Sequence, residues 1–404
     1  MNVEAWITGI GIVSCLGEGP EAHWRALAET DPGPVVDRTR FAPVPVHPLV
    51  QLDLDKQIPK RGDQRQMEPW QRIGTYTAGL ALADAGIAGN TEILSHTDMI
   101  VAAGGGERDI DVDNRILADI EQAPEPEVFL NERLVNDLRP TLFLAQLPNL
   151  LAGNISIVHK VTGSSRTFMG EELAGVSALE IALKRIAAGQ GEIALVGAAY
   201  NAERKDLMLN AALGRLLWTG DDRSVWARAE AEGGMILGSL GAFLVIESRR
   251  HAETRGRRPY ARLASVMSAR SRREPGAARA AAVRQIEALR PHLAGKAVSV
   301  LSGATGVRDL TREERDFLSA LREAGEIDAI RAPASILGAA IEASFPALVA
   351  LGALALRQKG FYRPYDTSGV ETPARDVPES LILTAWGHWR GEGLALLERA
   401  EGNG

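Results

Sequence analysis

The sequence predicts an α/β protein. Along its 404 residues, short apolar strands alternate with Gly-containing turns and with Ala- and Leu-rich helical segments, as they do in an α/β fold. The composition, with 45% apolar and 24% charged residues, is that of an ordinary folded protein and excludes a disordered chain. We expect two α/β halves of unequal length, residues 1–255 and 256–404, which pack as one body because no flexible linker separates them.

The elements of the first half follow from apolar periodicity and from the turn residues that bound each segment. The apolar run at 97–103, for example, ends in Gly104, Gly105 and Gly106. These glycines lack the spacing and the Lys-Ser/Thr pair of a phosphate-binding loop, so a tight turn is favoured. In chain order we predict a strand at 6–14, helices at 21–28 and 73–85, strands at 97–103 and 155–159, a helix at 176–188, and strands at 192–199 and within 236–247.

The second half restarts this pattern after an Arg-rich segment at 254–275. We interpret that segment, which contains Gly256 and Pro259, as the crossing between the halves. After it we predict a helix at 283–293, a strand at 297–301, helices at 311–324 and 345–356, and a strand at 381–385.

The composition also limits the compartment and the class of partner. Cys15 is the only cysteine, which excludes intramolecular disulfides and Cys-based metal sites. The N-terminus lacks the features of a signal peptide, and the longest apolar run, 345–356, is too short to cross a bilayer. We therefore expect a soluble cytoplasmic protein without a membrane span. The net charge of −7 argues against nucleic acid, and the Arg-rich stretch at 249–284 is either a patch for an acidic partner or a solvated helix.

Six short segments carry sequence motifs that are weak one by one but, as an ordered set, are specific for a single protein family. They are ITGIGIVSCLGEG at 7–19, DQRQMEPWQRIG at 63–74, PNLLAGNIS at 148–156, GAA at 197–199, GMILG at 234–238 and LVIE at 244–247. In sequence and in order they resemble motifs of the β-ketoacyl-acyl-carrier-protein synthases of the thiolase superfamily.

The resemblance implies a fold and a chemistry. The fold is the thiolase fold, in which two βαβαβαββ halves build five layers, αβαβα, and the members act as dimers. The chemistry moves an acyl chain from a carrier protein onto a cysteine, decarboxylates malonyl-carrier protein and joins the two by Claisen condensation. Two histidines stabilise the charge on the thioester oxygen, and a lysine completes the site. The resemblance implies neither a cofactor nor a metal.

The four catalytic positions of the family carry residues that do not support condensation. By alignment with the family motifs, Glu172 stands at the position of the nucleophilic cysteine, Gly303 and Ala339 at those of the two histidines, and Ala334 at that of the lysine. None of the seven histidines falls at a catalytic position. A carboxylate at a helix N-terminus is stabilised by the N–H groups there, but it cannot form a stable thioester. Cys15 is no substitute, because it aligns with the opening turn.

The family's gate loop, whose phenylalanine controls access to the acyl channel, aligns with Gly387, His388 and Trp389. For His388 we favour a packed position between Trp386 and Trp389 over acid–base chemistry. Ser164 and Ser165 precede Glu172, and no base is placed to activate either of them.

Two functions remain open on the sequence. The first is a non-condensing subunit resembling a chain length factor, which pairs with an active synthase as a heterodimer, or with itself, and shapes the acyl tunnel. By analogy, the interface includes the strand predicted near 155–158, and segments 108–117 and 142–147 reach toward the partner's site. The second is an enzyme with residual activity, either malonyl-carrier-protein decarboxylation or condensation by a non-standard site.

A contact with an acyl carrier protein is implied under both hypotheses, because carrier proteins are acidic and Arg65 matches a basic position of the family's QRxMD helix. Surface solubility is the alternative explanation for these cations. The further candidates for this contact are Lys60, Arg61, Arg270, Arg272 and Arg273. The overall resemblance is strongest to synthase-like subunits of very-long-chain, lipid A-type acyl synthesis, and polyketide synthesis is the alternative.

Overall fold

The computed structural model describes residues 3–29, 33–138, 142 and 146–400. The strands in this part of the chain are β1 (Ala5–Ser14), β2 (Gly17–Glu18), β3 (Val46–His47), β4 (Asp98–Ala102), β5 (Ser165–Phe168), β6 (Ile193–Tyr200), β7 (Leu237–Gly238), β8 (Leu240–Ser248), β9 (Ala261–Ala269), β10 (Val298–Leu301), β11 (Ile330–Arg331), β12 (Ser380–Trp386) and β13 (Glu392–Glu398). The α-helices are α1 (Pro20–Trp24), α2 (Arg61–Gln66), α3 (Pro69–Asp84), α4 (Thr91–His96), α5 (Ile110–Asp119), α6 (Pro126–Asp137), α7 (Leu150–His159), α8 (Glu171–Ala187), α9 (Lys205–Leu213), α10 (Val225–Glu230), α11 (Arg249–Thr254), α12 (Ala277–Leu293), α13 (Arg308–Glu323), α14 (Ala334–Leu337) and α15 (Ser344–Gln358).

Two sets of five strands have the same topology, and the alternation of strands and helices confirms the predicted α/β class. The first set runs β1-β8-β6-β4-β5 and the second β9-β13-β12-β10-β11, so each has the chain order 1-5-4-2-3. In each set, the strand that comes last in the chain is antiparallel to its two neighbours, and the other pairs are parallel. The sets join where β1 pairs antiparallel with β9, with Ala5 opposite Leu263. The boundary at 255/256 lies between α11 and β9 and stays a prediction.

The helices and sheets stack in five layers. The central helices, α8 and α15, contact each other and strands of both sets. α3 and α7 cover the outer face of the first set, whereas α12 and α13 cover the outer face of the second. This is the αβαβα arrangement implied by the resemblance.

Alternation along the strands divides the buried side chains between these layers. In β8, Leu244 and Ile246 belong to the central apolar cluster, while Phe243 and Val245 belong to the outer one beneath α3. α15 has no polar face, because residues 345–356 are all buried between the two sheets.

One predicted strand and the predicted crossing differ from the structure, and some of the helices were not predicted. Residues 155–159 are helical, not a strand, because they form the last turns of α7, whose Leu151 and Ile155 are buried in the cluster beneath α3. The β-branched sequence there misled the prediction, since tertiary packing overrides local propensity. The segment at 254–275 is not only a crossing, because it contains β9. Residues 110–119 and 126–137, for which no element was predicted, form α5 and α6.

Among the described residues, no helix is both long enough and apolar enough to cross a membrane.

Candidate functional site

Two side chains that are 216 residues apart in sequence meet at the start of α8. Glu172 lies in the first turn of this helix and is 5% exposed. His388 lies in the loop between β12 and β13 and donates a hydrogen bond from Nδ1 to Oε1 of Glu172 at 2.5 Å. The backbone N–H of His388 points at the same oxygen, at 3.4 Å. Counted without the backbone, each of the two side chains is 7% exposed, so this is a buried pair.

The charges around the pair favour the imidazolium form of His388. Burial alone lowers the pKa of His388, but the hydrogen bond to Glu172 and the charges of Glu172 and Glu171 raise it above its ordinary value, against the opposing charge of Arg273. Glu342 stands nearby, and burial, with the charge of Glu172 adding to it, raises the pKa of this carboxyl to about 7. Oε2 of Glu172 has no hydrogen-bond partner among the described residues. The site therefore concentrates carboxylates around one imidazole.

Sequence reasoning missed this pair. The ring of His388 does contact Trp389, with centroids 5.1 Å apart, but packing is not its whole environment, because Nδ1 is bound to Glu172. No spacing rule links a loop after β12 to a helix more than 200 residues earlier. The one signal in the sequence was that both residues align with positions of the same family site.

The gate loop is held by Arg273. Its guanidinium donates to the carbonyl oxygen of Gly387 at 2.8 and 2.6 Å and to that of Gly391 at 3.0 Å. It also pairs with the buried carboxylate of Glu392 at 2.6 Å. Arg273 is thus committed to the loop, whereas Arg270 and Arg272, predicted with it as docking residues, are exposed.

The histidine and lysine positions of the family are filled with backbone or small apolar side chains. Gly303 and Ala334 line one small cavity of about 20 Å³, which has room for about one water molecule. A Cβ atom at Gly303 would lie 2.5 Å from the carbonyl oxygen of Thr384, so no larger residue fits there without a backbone shift. Ala339 is buried and bridges to Leu237. The structure therefore brings Gly303 and Ala334 together, and neither Ala339 nor Glu172 lines that cavity.

A separate cleft of about 550 Å³ reaches the gate loop, and His388 is part of its wall. Its charged lining is mixed, with both signs present. The cations are Arg215, Arg273, Arg308 and Arg312, and the carboxylates are Glu232, Glu274, Asp309 and Glu313. Arg215 is exposed and forms no ion pair with any described residue. The cleft offers a charged ligand a route from the surface to His388.

Cys15 lies beside a histidine but is not activated. Its Sγ is 4.0 Å from Nδ1 of His47, which instead donates to the carbonyl oxygen of Val35 at 2.9 Å. Burial raises the pKa of the Cys15 thiol to about 12, so the thiolate that a nucleophile needs is not formed near neutral pH.

The remaining predicted site residues are on the surface. Lys60, Arg61 and Arg65 are exposed at the start of α2 or along it, and none forms an ion pair with another described residue. In the described part of the chain, no three His, Cys, Asp or Glu side chains are grouped as metal ligands. The guanidinium of Arg204 donates hydrogen bonds to the carbonyl oxygens of Gly105 and Gly106, at 3.1 and 2.8 Å. This contact is that of a turn and not of a phosphate-binding loop, in which backbone N–H groups face the ligand.

Comparison with known proteins gives this geometry a context. The family model for the beta-ketoacyl synthase, N-terminal domain, matches residues 4–252. The chain is 25% identical over 264 residues to the 3-oxoacyl-[acyl-carrier-protein] synthase 2 of Vibrio harveyi, a match that covers 64% of this chain and 60% of that protein. It thus spans less than two thirds of this relative. It is also 25% identical over 416 residues to the actinorhodin polyketide beta-ketoacyl synthase 2 of Streptomyces coelicolor, which covers 97% of this chain and 98% of that one.

Solved structures share the fold. The ishigamide ketosynthase/chain length factor superposes with a TM-score of 0.78 at 18% identity, covering 99% of this chain and 100% of that one. A type II polyketide synthase acyl-carrier protein in complex with its ketosynthase gives a TM-score of 0.73 at 16% identity, with the same coverage. The matched family model spans more than half of the sequence, from the first strand to α11, and the chain therefore belongs to the β-ketoacyl synthase family.

Proposed function

We propose that the protein is a non-condensing β-ketoacyl synthase-like subunit, which pairs with an active synthase of fatty acid or polyketide synthesis and sets the length of its product. One observation carries the proposal. At the start of α8, where the alignment puts the family's nucleophile, the buried side chain is the carboxylate of Glu172, and it is bound to His388 at 2.5 Å. A carboxylate in this place accepts no acyl chain as a stable thioester.

The surface around β5 supports pairing with a second subunit. β5 is the edge strand of the first set, and in the part of the chain that the structure describes it pairs with β4 alone, so that one row of its backbone groups has no strand partner there. Ser165 and Arg166 are exposed along it, and the apolar side chains of Ile157 and Met169 beside it are 57% and 62% exposed. We propose this edge as part of the interface in place of the strand expected at 155–158, because those residues are helical.

The arm formed by α5 and α6 supports the same conclusion. α6 has no buried side chain, and Val128, Leu134 and Val135 are 50%, 40% and 73% exposed. Apolar side chains left uncovered on a helix of a single chain indicate a partner surface. A cleft of about 680 Å³, lined in part by residues 107–111 and Leu142, adjoins this arm. We assign the cleft to the partner's tunnel, in line with the expected role of 108–117. Of the segment 142–147, residues 143–145 lie outside the described residues.

A carrier-protein contact belongs to this proposal. Lys60, Arg61 and Arg65 form an exposed basic group near α2, which suits an acidic carrier protein. The names of two of the compared proteins include an acyl-carrier protein, as substrate carrier in one and as bound partner in the other. Arg273 is left out of this contact, because it holds the gate loop.

Malonyl-carrier-protein decarboxylation is a second candidate, and His388 favours it. Loss of carbon dioxide leaves an enolate on the thioester oxygen, which needs a hydrogen-bond donor. The imidazolium of His388 is such a donor at the wall of the cleft.

The test mixes the purified chain with acyl- and malonyl-carrier protein, alone and then with its partner synthase. It follows carbon dioxide release and the length of the 3-ketoacyl product. We expect no condensation by the chain alone and a changed product length in the mixture. The measured length also separates very-long-chain acyl products from polyketides. Carbon dioxide release without the synthase selects the second candidate.

The variant Glu172→Cys gives an independent check on the alignment. A thiol at this position should not confer condensation, because Gly303 and Ala339 offer no imidazole to the thioester oxygen. Condensation by this variant alone would mean that a working site had been overlooked. A matched variant, Ser164→Cys, places a thiol on the same stretch of chain outside α8 and should be equally silent.

A further inference from the structure

The two nitrogens of His388 have different surroundings. Nδ1 is tied to the carboxylate of Glu172 at 2.5 Å, which fixes the ring and puts its hydrogen on Nδ1. Nε2 makes no hydrogen bond to any described residue, and His388 belongs to the wall of the 550 Å³ cleft. A carboxylate that orients an imidazole in this way leaves the second nitrogen free to take a proton from a bound molecule.

We propose that Glu172 and His388 form a general-base dyad that hydrolyses acyl thioesters entering this cleft, with His388 as the catalytic base and Glu172 as the residue that positions it. This activity goes beyond the proposed function. The proposed hydrolysis rests on the proposed function in one respect only, which is the identity of the acyl group and of its carrier.

The step uses water as its second reactant. Nε2 of neutral His388 takes a proton from water as the oxygen forms a bond to the thioester carbonyl carbon. The tetrahedral intermediate then breaks its C–S bond, and the imidazolium returns the proton to the departing sulfur. The products are a carboxylic acid and a free thiol, and His388 ends in its starting form. No covalent acyl-enzyme is required, so the lack of a nucleophilic cysteine is no obstacle.

The lining of the cleft suits a thioester on a phosphorylated arm. Arg215 lines the cleft, is exposed and has no ion pair with a described residue, so its guanidinium is available for a phosphate. Arg308 and Arg312 also line it, although Arg312 is paired with Glu230 at 3.1 Å.

The charges that face the dyad set the direction of its pH dependence. Glu171 and Glu172 bring negative charge, and Glu342 adds to it only once its own carboxyl ionises, near pH 7; Arg273 brings positive charge, as does Arg390, which pairs with Glu171 at 3.9 Å. The base acts as neutral imidazole, and these carboxylates favour the imidazolium form. Hydrolysis should therefore rise with pH through an apparent pKa above the ordinary value for histidine, which is about 6.5.

The first experiment measures thiol release from an acyl-N-acetylcysteamine thioester and from acyl-carrier protein by the chain alone. We expect release above the spontaneous rate, reduced about 100-fold in kcat/KM by His388→Gln. His292→Gln, which changes an exposed histidine on α12, is the matched control and should hydrolyse like the wild type. Circular dichroism and a thermal melt show that each variant is folded. His388→Phe is the second substitution, in case His388→Gln does not fold.

The second experiment separates a catalytic pair from a merely structural one. Glu172→Gln removes the negative charge but keeps an oxygen for the hydrogen bond, so it should lower the apparent pKa of the pH–rate profile and reduce the rate about tenfold. Release no faster than in buffer, or an unchanged rate and profile in both variants, would overturn the proposal. Because this assay contains no synthase, its failure leaves the product-length test of the proposed function unaffected.

Discussion

The guanidinium of Arg273 donates to the carbonyl oxygen of Gly387 through both Nε and Nη2, at 2.8 and 2.6 Å. Gly387 directly precedes His388, so this contact fixes the loop that carries the imidazole. The same guanidinium binds Glu392, whose side chain is 0% exposed at the start of β13. One arginine, in the segment that follows β9, thus binds the backbone on both sides of His388 and Trp389.

Arg273→Gln should lower the free energy of unfolding by about 3 kcal/mol. It removes donors from buried carbonyl oxygens and leaves the Glu392 carboxylate buried without its cation. Chemical denaturation at pH 7 measures the change. Arg272→Gln is the matched control: Arg272 is exposed, and its loss should change stability by less than about 0.5 kcal/mol. Equal effects of the two variants would show that Arg273 does not hold the loop.

Two helical glycines should respond in opposite directions to the same change. In α8, a Cβ atom at Gly175 would lie 2.5 Å from the carbonyl oxygen of Glu342 and 2.8 Å from Cδ of Pro346. In α7, a Cβ atom at Gly153 meets nothing closer than Leu150, at 3.7 Å. Gly175→Ala should therefore destabilise by about 2 kcal/mol through overpacking, whereas Gly153→Ala should stabilise by up to about 1 kcal/mol through helix propensity.

Thermal and denaturant unfolding of these two variants measure the difference. Stabilisation by Gly175→Ala would contradict the close packing of α8 on the turn that carries Glu342. That packing is what brings the buried carboxyl of Glu342 toward Glu172.

The sequence predicted elements whose signal is local and missed those whose signal is not. The apolar run at 97–103 contains β4, and the apolar stretch at 345–356 lies within α15. β9 was missed because its arginine and serine residues interrupt the apolar alternation, although it pairs with both β1 and β13. Its place in the sheet depends on those neighbours and not on its own composition.

The site shows the same division. Family motifs led to Glu172 and to the gate loop, because these positions lie in short recognisable segments. The hydrogen bond between Glu172 and His388 joins a helix of the first strand set to a loop of the second. The hydrogen bonds from Arg273 to the gate loop go to backbone carbonyl oxygens, which every residue carries. Neither relationship has a spacing or a residue type that marks it in the sequence.

Glu314 should make the protein less stable at alkaline than at acidic pH. Its carboxyl is buried on α13, where Ser302 and Thr384 donate to Oε1 at 2.7 and 2.5 Å, and burial raises its pKa from 4.5 to about 6. A raised pKa in the folded state means that the stabilising contribution is complete below pH 4.5 and is lost as the pH rises through 6. The shift corresponds to about 2 kcal/mol.

Glu314→Gln isolates this effect, because the amide stays neutral and its oxygen still accepts from both hydroxyl groups. The variant should be about 2 kcal/mol more stable than the wild type at pH 8 and equal to it near pH 4.5, as judged by denaturant unfolding at both values. Glu323→Gln changes an exposed carboxylate on the same helix and should give no such pH-dependent difference. A constant difference across this range would rule out the titration of Glu314 as the cause.

Val135 tests whether α6 is a partner surface. Its side chain is 73% exposed on a helix with no buried residue, so a charge there should change the folding stability of the single chain very little. In an interface the same charge must lose its water, so Val135→Asp should weaken pairing by at least about 30-fold, or about 2 kcal/mol.

Val377→Asp is the control, because Val377 is 49% exposed in the loop before β12, away from α6. Sedimentation of the chain, alone and with the partner synthase, measures the pairing. If Val135→Asp pairs as tightly as Val377→Asp, α6 lies outside the interface, and the open edge of β5 alone must carry it.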